Sequence, residues 1–193
     1  MRTNLAILVV LSLGGCSGCS SSGRDAGTEE RWTGHVIWMK SPAFEADKPI
    51  PKVHAYKDEG NNVSPLLTWS NPPPGVEEFA VICEDPDAPG GTWVHWVVYN
   101  IPKEATGLPE GMPPGKGDLD RPAGAKQGEN SFGEIGYGGP IPPKGSGAHR
   151  YRFIVYALGL KLPLKAGATA AELREAMHGH VIGRGEIVGT YQR

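Results

Sequence analysis

The chain has 193 residues, a formal net charge of −2, and 19 Lys and Arg residues scattered along it. That is one domain of ordinary size, and such a chain buries roughly 70% of its unfolded surface without needing disulfides. With no basic stripe and no polybasic patch, nucleic acid is a poor expectation as a partner, while 28 glycines and 18 prolines set largely between strand-like runs suit a loop-rich β protein.

In chain order, Arg2, the short apolar run Leu5 to Leu13 and the small-residue site Leu13-Gly14-Gly15-Cys16 read as an export signal over residues 1–15. A Cys directly after such a site resembles a bacterial lipobox. The resemblance implies that Cys16 is lipidated on its sulfur and becomes the mature N-terminus; an ordinary secretory peptide cut elsewhere is the alternative. Ser17-Gly18-Cys19-Ser20-Ser21-Ser22-Gly23 opens a flexible tether, residues 16–31, of the kind lipoproteins use. Several acyl chains would anchor it stably, so the expected location is a cell-membrane or outer-membrane lipoprotein with its folded domain outside the cytoplasm.

The folded domain is expected over residues 32–193. Residues 36–40, a short run at 53–56, then 66–69, 79–84, 93–101, 150–158 and 187–191 read as strands between turn-rich segments, predicting a mainly antiparallel β-sandwich. Residues 103–148 are glycine-rich with little periodicity, and a segment that long is more often functional or packed on itself than idle. One helix is signalled near the C-terminus. Thr169 with Glu172 is a capping-box pattern, Ala170, Leu173, Ala176 and Met177 form an apolar stripe, and Gly179 is a left-handed stop. Cys83, inside an apolar strand, is expected to be a buried free thiol, and no Cys/His spacing suggests zinc.

Two segments carry the chemistry, residues 85–102 and 139–158. Each brings a histidine to the start of a β-rich run, straight after a Pro/Gly loop. Period-2 alternation predicts the faces Trp93, His95, Val97, Tyr99 and His149, Tyr151, Phe153, Val155. The strand at 79–84 runs into Asp85 and Asp87, and a hairpin with 93–101 would bring those carboxylates beside His95. By itself His95 reads as a core histidine satisfied by a neighbouring carboxylate. Asp87 is as simply explained by turn bonding within its Pro-bracketed loop. Enzyme motifs fail: there is no GxSxG, and Gly145-Ser146-Gly147 lacks the strand-to-helix setting of a nucleophile. GMPPGKG at 111–117 has the wrong spacing for a phosphate loop; Asp85 and Asp87 as paired catalytic carboxylates, or as a divalent-metal site with the histidines, is a rival reading that no HExxH or carboxylate triad supports, and no cofactor is expected.

Asn62-Val63-Ser64-Pro65 with Leu67-Thr68-Trp69, then DPDAP, HWVVYNIP, GYGGPIPP, GAHRYRFIVYAL and the tail from Gly167 follow a family order across roughly residues 34–193. In these motifs the chain resembles the bacterial branch of the phosphatidylethanolamine-binding proteins, also called Raf kinase inhibitor proteins. Ser131, Ile141 and Leu66 are small departures, and none removes a residue expected in the pocket. The resemblance implies a non-enzymatic binding protein whose pocket draws on Asp85, Asp87, His95, Pro143, Gly147, His149 and Tyr151. Its ligand would be small and anionic or zwitterionic, such as a phosphoethanolamine headgroup. Phosphate would go to His95, His149 and the amides of residues 145–148, and the ammonium to Asp85. Tyr151 could add a hydroxyl or simply pack. An imidazole held by Asp85 would be more readily protonated and so donate to an anion. The alternatives are an inhibitor that presents a surface to a kinase or hydrolase, and a weak hydrolase built on Asp85 and His95.

Overall fold

Among residues 32–193, which the computed structural model describes, strands form where apolar side chains alternate or run on both faces. In chain order they are β1 (His35–Val36), β2 (Trp38–Lys40), β3 (Leu67–Ser70), β4 (Glu78–Asp85), β5 (Trp93–Pro102), β6 (Gly107–Leu108), β7 (Lys126–Gln127), β8 (His149–Leu158) and β9 (Val181–Tyr191). Among the described residues there is one α-helix, α1 (Ala170–Met177), which precedes β9. Six strands form one sheet in the order β1-β9-β8-β4-β5-β7, and β2-β3-β6 form a second. Every pairing between these strands is antiparallel except β1 on β9, which is parallel. The leader, Cys16 and the tether lie outside the described residues.

In β4 the run Phe79 to Cys83 is apolar at every position because both faces of the strand are covered. Phe79, Val81 and Cys83 belong to a core shared with Leu67 and Trp69 of the small sheet, while Ala80 and Ile82 belong to a second core with Leu173 and Met177 of α1. A strand covered on both faces loses the alternation that marks a half-exposed one. Cys83 is buried and free. The helix begins as the capping pattern predicts. Thr169 Oγ1 accepts from the Glu172 amide, the Glu172 carboxylate accepts from the Thr169 amide at 2.7 Å, and Gly179 ends the turn at φ +77°.

Three elements differ from expectation. The 36–40 run breaks at Ile37, whose amide bonds to the Arg184 carbonyl, so that β1 joins the large sheet and β2 the small one. Residues 53–56 form no strand; Lys52–His54 is a turn of 3-10 helix, and its buried His54 bonds the Val63 carbonyl through Nδ1. β9 starts at Val181, well before residue 187, because its glycines let neighbouring backbone approach. A Cβ on Gly185 would lie 2.2 Å from the Ile37 carbonyl oxygen. The glycine-rich stretch at 103–148 supplies β6 and β7 and is pinned to the sheet by the Gln127 amide. That side chain accepts from Trp96 Nε1 and donates to the carbonyls of Pro113 and Lys116.

Candidate functional site

The adjacent strands β8, β4 and β5 are antiparallel, so the start of β8, the end of β4 and the start of β5 coincide at one end of the large sheet. Asp85, His95, His149 and Tyr151 all stand there, each buried, around a cavity of about 230 Å³. Trp93, Phe132, Ile141, Pro142 and Pro143 make the apolar part of its wall. A polar floor beneath an apolar mouth suits a small ligand with a polar head.

His95 reaches this cavity through an irregularity in β5. Cys83 pairs with Trp96 but Glu84 pairs with Val94, which leaves His95 as an extra residue. Such a bulge shifts the phase of the strand and re-aims the side chain. His95 therefore sits edge-on to Tyr151, ring centroids 5.0 Å apart, and not on the face of Val97 and Tyr99, which pack in the core under α1. The predicted uniform face of residues 93–99 is wrong for that reason. His95 Nδ1 lies 2.6 Å from the Gly138 carbonyl, so it carries the hydrogen and leaves Nε2 as an acceptor in the neutral ring. Burial pushes the imidazole down to about 4, against the partial opposition of that carbonyl. This corrects the expectation of a protonated His95 donating to an anion.

The Asp85 partner also differs from expectation. Asp85 Oδ2 accepts from His149 Nδ1 at 2.7 Å, and Oδ1 accepts the Asp87 amide at 2.8 Å. No Asp85–His95 hydrogen bond is formed, so the dyad invoked for a weak hydrolase is not assembled. His149 Nε2 lies 2.9 Å and the Pro143 carbonyl 2.8 Å from the Ser146 hydroxyl, whose single hydrogen goes to one of the two: to the carbonyl when Nε2 carries a hydrogen, and to Nε2 when it does not. Asp87 faces away from the cavity into a fork with Arg150, whose Nε and Nη2 donate at 2.9 and 2.8 Å; that guanidinium holds the Asp87 carboxyl below its usual range. Its geometry is that of a loop brace.

Gly147, at φ +87°, lets the loop turn but does not line the cavity. The amides of Gly145 and Ser146 are spent on the carbonyls of Arg193 and Pro143, so that part of the loop is no open anion cradle. Tyr151 is the most informative residue of the floor. Its hydroxyl is buried and, among the described residues, is the one buried side-chain polar atom without a hydrogen-bond partner. Burial, and after it the Asp85 charge, raises that hydroxyl, which is therefore a neutral donor. Two further groups shape the site beyond the expected residues: Phe132, stacked on Tyr56 with ring centroids 4.4 Å apart, which no local pattern distinguishes, and the Gly138 carbonyl, which belongs to GYGGPIPP.

Fold and cavity together define a β-sandwich with a ligand-sized polar pocket at the end of its central strands. The family model described as phosphatidylethanolamine-binding protein matches residues 40–192, and the chain belongs to that family. It is 45% identical over 156 residues to a UPF0098 protein of Methanothermobacter thermautotrophicus, covering 80% of this chain and 98% of the relative. To the Mycobacterium tuberculosis protein named "Putative lipoprotein LppC" it is 38% identical over 208 residues, covering 99% and 96%. The crystal structure of Escherichia coli YbcL, described as a member of the mammalian PEBP family, matches at TM-score 0.75 and 37% identity over 81% of this chain and 98% of that one.

Proposed function

We propose that the protein binds a small ligand with a phosphate or similar anionic head next to an amine, of the phosphoethanolamine type. The observation that carries this is the Tyr151 hydroxyl, buried in the cavity floor without a hydrogen bond of good geometry, the Asp85 carboxylate and the Ile141 backbone being its polar neighbours. A polar group left so costs about 1–3 kcal/mol, a cost that a ligand oxygen would remove. His149 Nε2 is the second donor to that oxygen when the ring is cationic, with Asp85 fixing its orientation. Neutral His95 presents Nε2 as an acceptor for an ammonium hydrogen, and the aromatic mouth of Trp93 and Phe132 suits a cation or an apolar extension. Pro143 shapes the rim, whereas Asp87 and Gly147 act on the loop and not on the ligand.

The lipobox-like Cys16 and the likeness to LppC support a lipid-anchored protein with its domain outside the cytoplasm. Binding is tested by calorimetry of the full chain in detergent with phosphoethanolamine, ethanolamine and inorganic phosphate. Saturable heat with phosphoethanolamine, weaker with either half alone, is the expected result. No heat with any of the three on folded protein would defeat the proposal.

A further inference from the structure

At the same pocket three side chains stand in line, Ser146, His149 and Asp85, the last two of which the ligand-binding reading also uses. The Ser146 hydroxyl lies 2.9 Å from His149 Nε2, and His149 Nδ1 lies 2.7 Å from Asp85 Oδ2. They come from three places, an exposed loop, the first residue of β8 and the last residue of β4. We propose that Ser146 is a nucleophile activated by His149 and Asp85, able to take an acyl group from small carboxylic esters.

Hydrogen-bond bookkeeping supports each role. An ionised carboxylate only accepts, so Asp85 places the ring hydrogen on Nδ1 and leaves Nε2 of the neutral imidazole as a base facing the hydroxyl. His149 and Asp85 are both buried, at 3% exposure each, which fixes the ring, whereas Ser146 is exposed and open to substrate. The Pro143 carbonyl, 2.8 Å from the hydroxyl, is the competing acceptor and holds the oxygen at the rim when the imidazole is protonated. Tyr151, two residues along from His149 on the same strand face, offers the unpartnered hydroxyl that an oxygen turning negative requires. The cavity of about 230 Å³ admits a short acyl or alkyl group against Trp93, Phe132 and Pro142.

In the first step Ser146 Oγ bonds to the acyl carbon and its proton passes to His149 Nε2. The bond from that carbon to the alcohol oxygen then breaks, and the alcohol leaves with the proton. Water attacks the Ser146 ester by the same route, its proton going through His149 to Ser146 Oγ as the carboxylic acid departs. The geometric relation of the three groups, and not a sequence motif, identifies them. A serine three residues before its histidine on a loop carries no familiar elbow signature.

The test uses the full chain in detergent with an alkyl fluorophosphonate, read by intact mass and peptide mapping. One adduct on Ser146 is expected, absent in Ser146→Ala. His149→Gln removes the base and should slow labelling roughly a hundredfold or more. Asp85→Asn should slow it too, with part of the rate returning in Asp85→Glu, a rescue that a merely structural loss would not show. No adduct on folded wild type, an adduct that survives Ser146→Ala, or an unchanged rate in His149→Gln would each overturn the proposal. Should His149→Gln not fold, Ser146→Ala at its exposed position decides the matter. Calorimetry with phosphoethanolamine is independent of labelling, so failure of either reading is seen without the other.

Discussion

Replacing Tyr151 by Phe takes one oxygen out of the cavity floor and leaves the ring that packs against His95 in place. If that oxygen has no partner in the free protein, its removal relieves a desolvation penalty of about 1–3 kcal/mol, offset in part by the small void it leaves. The free protein should therefore be as stable as wild type or more so. In a chain of 193 residues each kcal/mol moves the melting temperature by roughly 2–4 °C. Ligand affinity should move the other way. A hydrogen bond to a charged phosphate oxygen contributes about 1.5–3 kcal/mol, so phosphoethanolamine should bind roughly ten- to a hundredfold more weakly. Thermal unfolding without ligand and calorimetry with it measure the two halves. A mutant that melts several degrees lower would mean that the hydroxyl was already bonded, and an unchanged dissociation constant would remove it from the site.

His95 gives a pH signature of stability. Its folded value of about 4 lies below the unfolded value of about 6.5, so between these the unfolded chain holds a proton that the folded one lacks. Its contribution is thus fully present above pH ~6.5 and lost as pH falls to ~4, amounting to roughly 3 kcal/mol. His95→Asn, which keeps a donor for the Gly138 carbonyl, should flatten that slope in urea melts taken from pH 4 to 7; an unaltered slope assigns it to other groups. Gly185→Ala forces a methyl against the Ile37 carbonyl and should cost about 2 kcal/mol or more, read as a lower urea midpoint with unchanged m. Cys16→Ser should abolish metabolic lipid labelling of the expressed protein, and a lipidated serine mutant would end the anchor proposal.

Local pattern was enough for much of the fold. The runs at 79–84 and 150–158 carry so many apolar and β-branched residues that only their ends moved, and Thr169 with Glu172 marked the helix start as built. What pattern missed depends on distant chain. Residues 181–186 include two glycines, an Arg and a Glu, a poor strand on propensity, and they are extended because β8 pairs along them and β1 lies against them. The four residues at 53–56 are too few for alternation to outweigh the turn they make. The same limit applied to the site. The sequence shows that Asp85 precedes His95 by one hairpin, but not that β8 is β4's other neighbour, and it is across that pairing that Asp85 finds His149. A period-2 reading also assumes constant phase, which the extra residue in β5 breaks.

That extra residue makes strand length, as well as residue identity, a determinant of the pocket. Deleting Val94 would let β5 pair with β4 in continuous register from Val81 to Asp85, while Trp96 and everything beyond it, with the second register shift between Phe79 and Val81, stayed where they are. The imidazole would then take Val94's place opposite Glu84, on the face turned toward α1, away from Tyr151 and the Gly138 carbonyl. An indel of one codon would empty the cavity of one of its two histidines. Among relatives, the spacing between the DPDAP loop and Trp96 is therefore as informative about a retained pocket as the presence of the histidine itself.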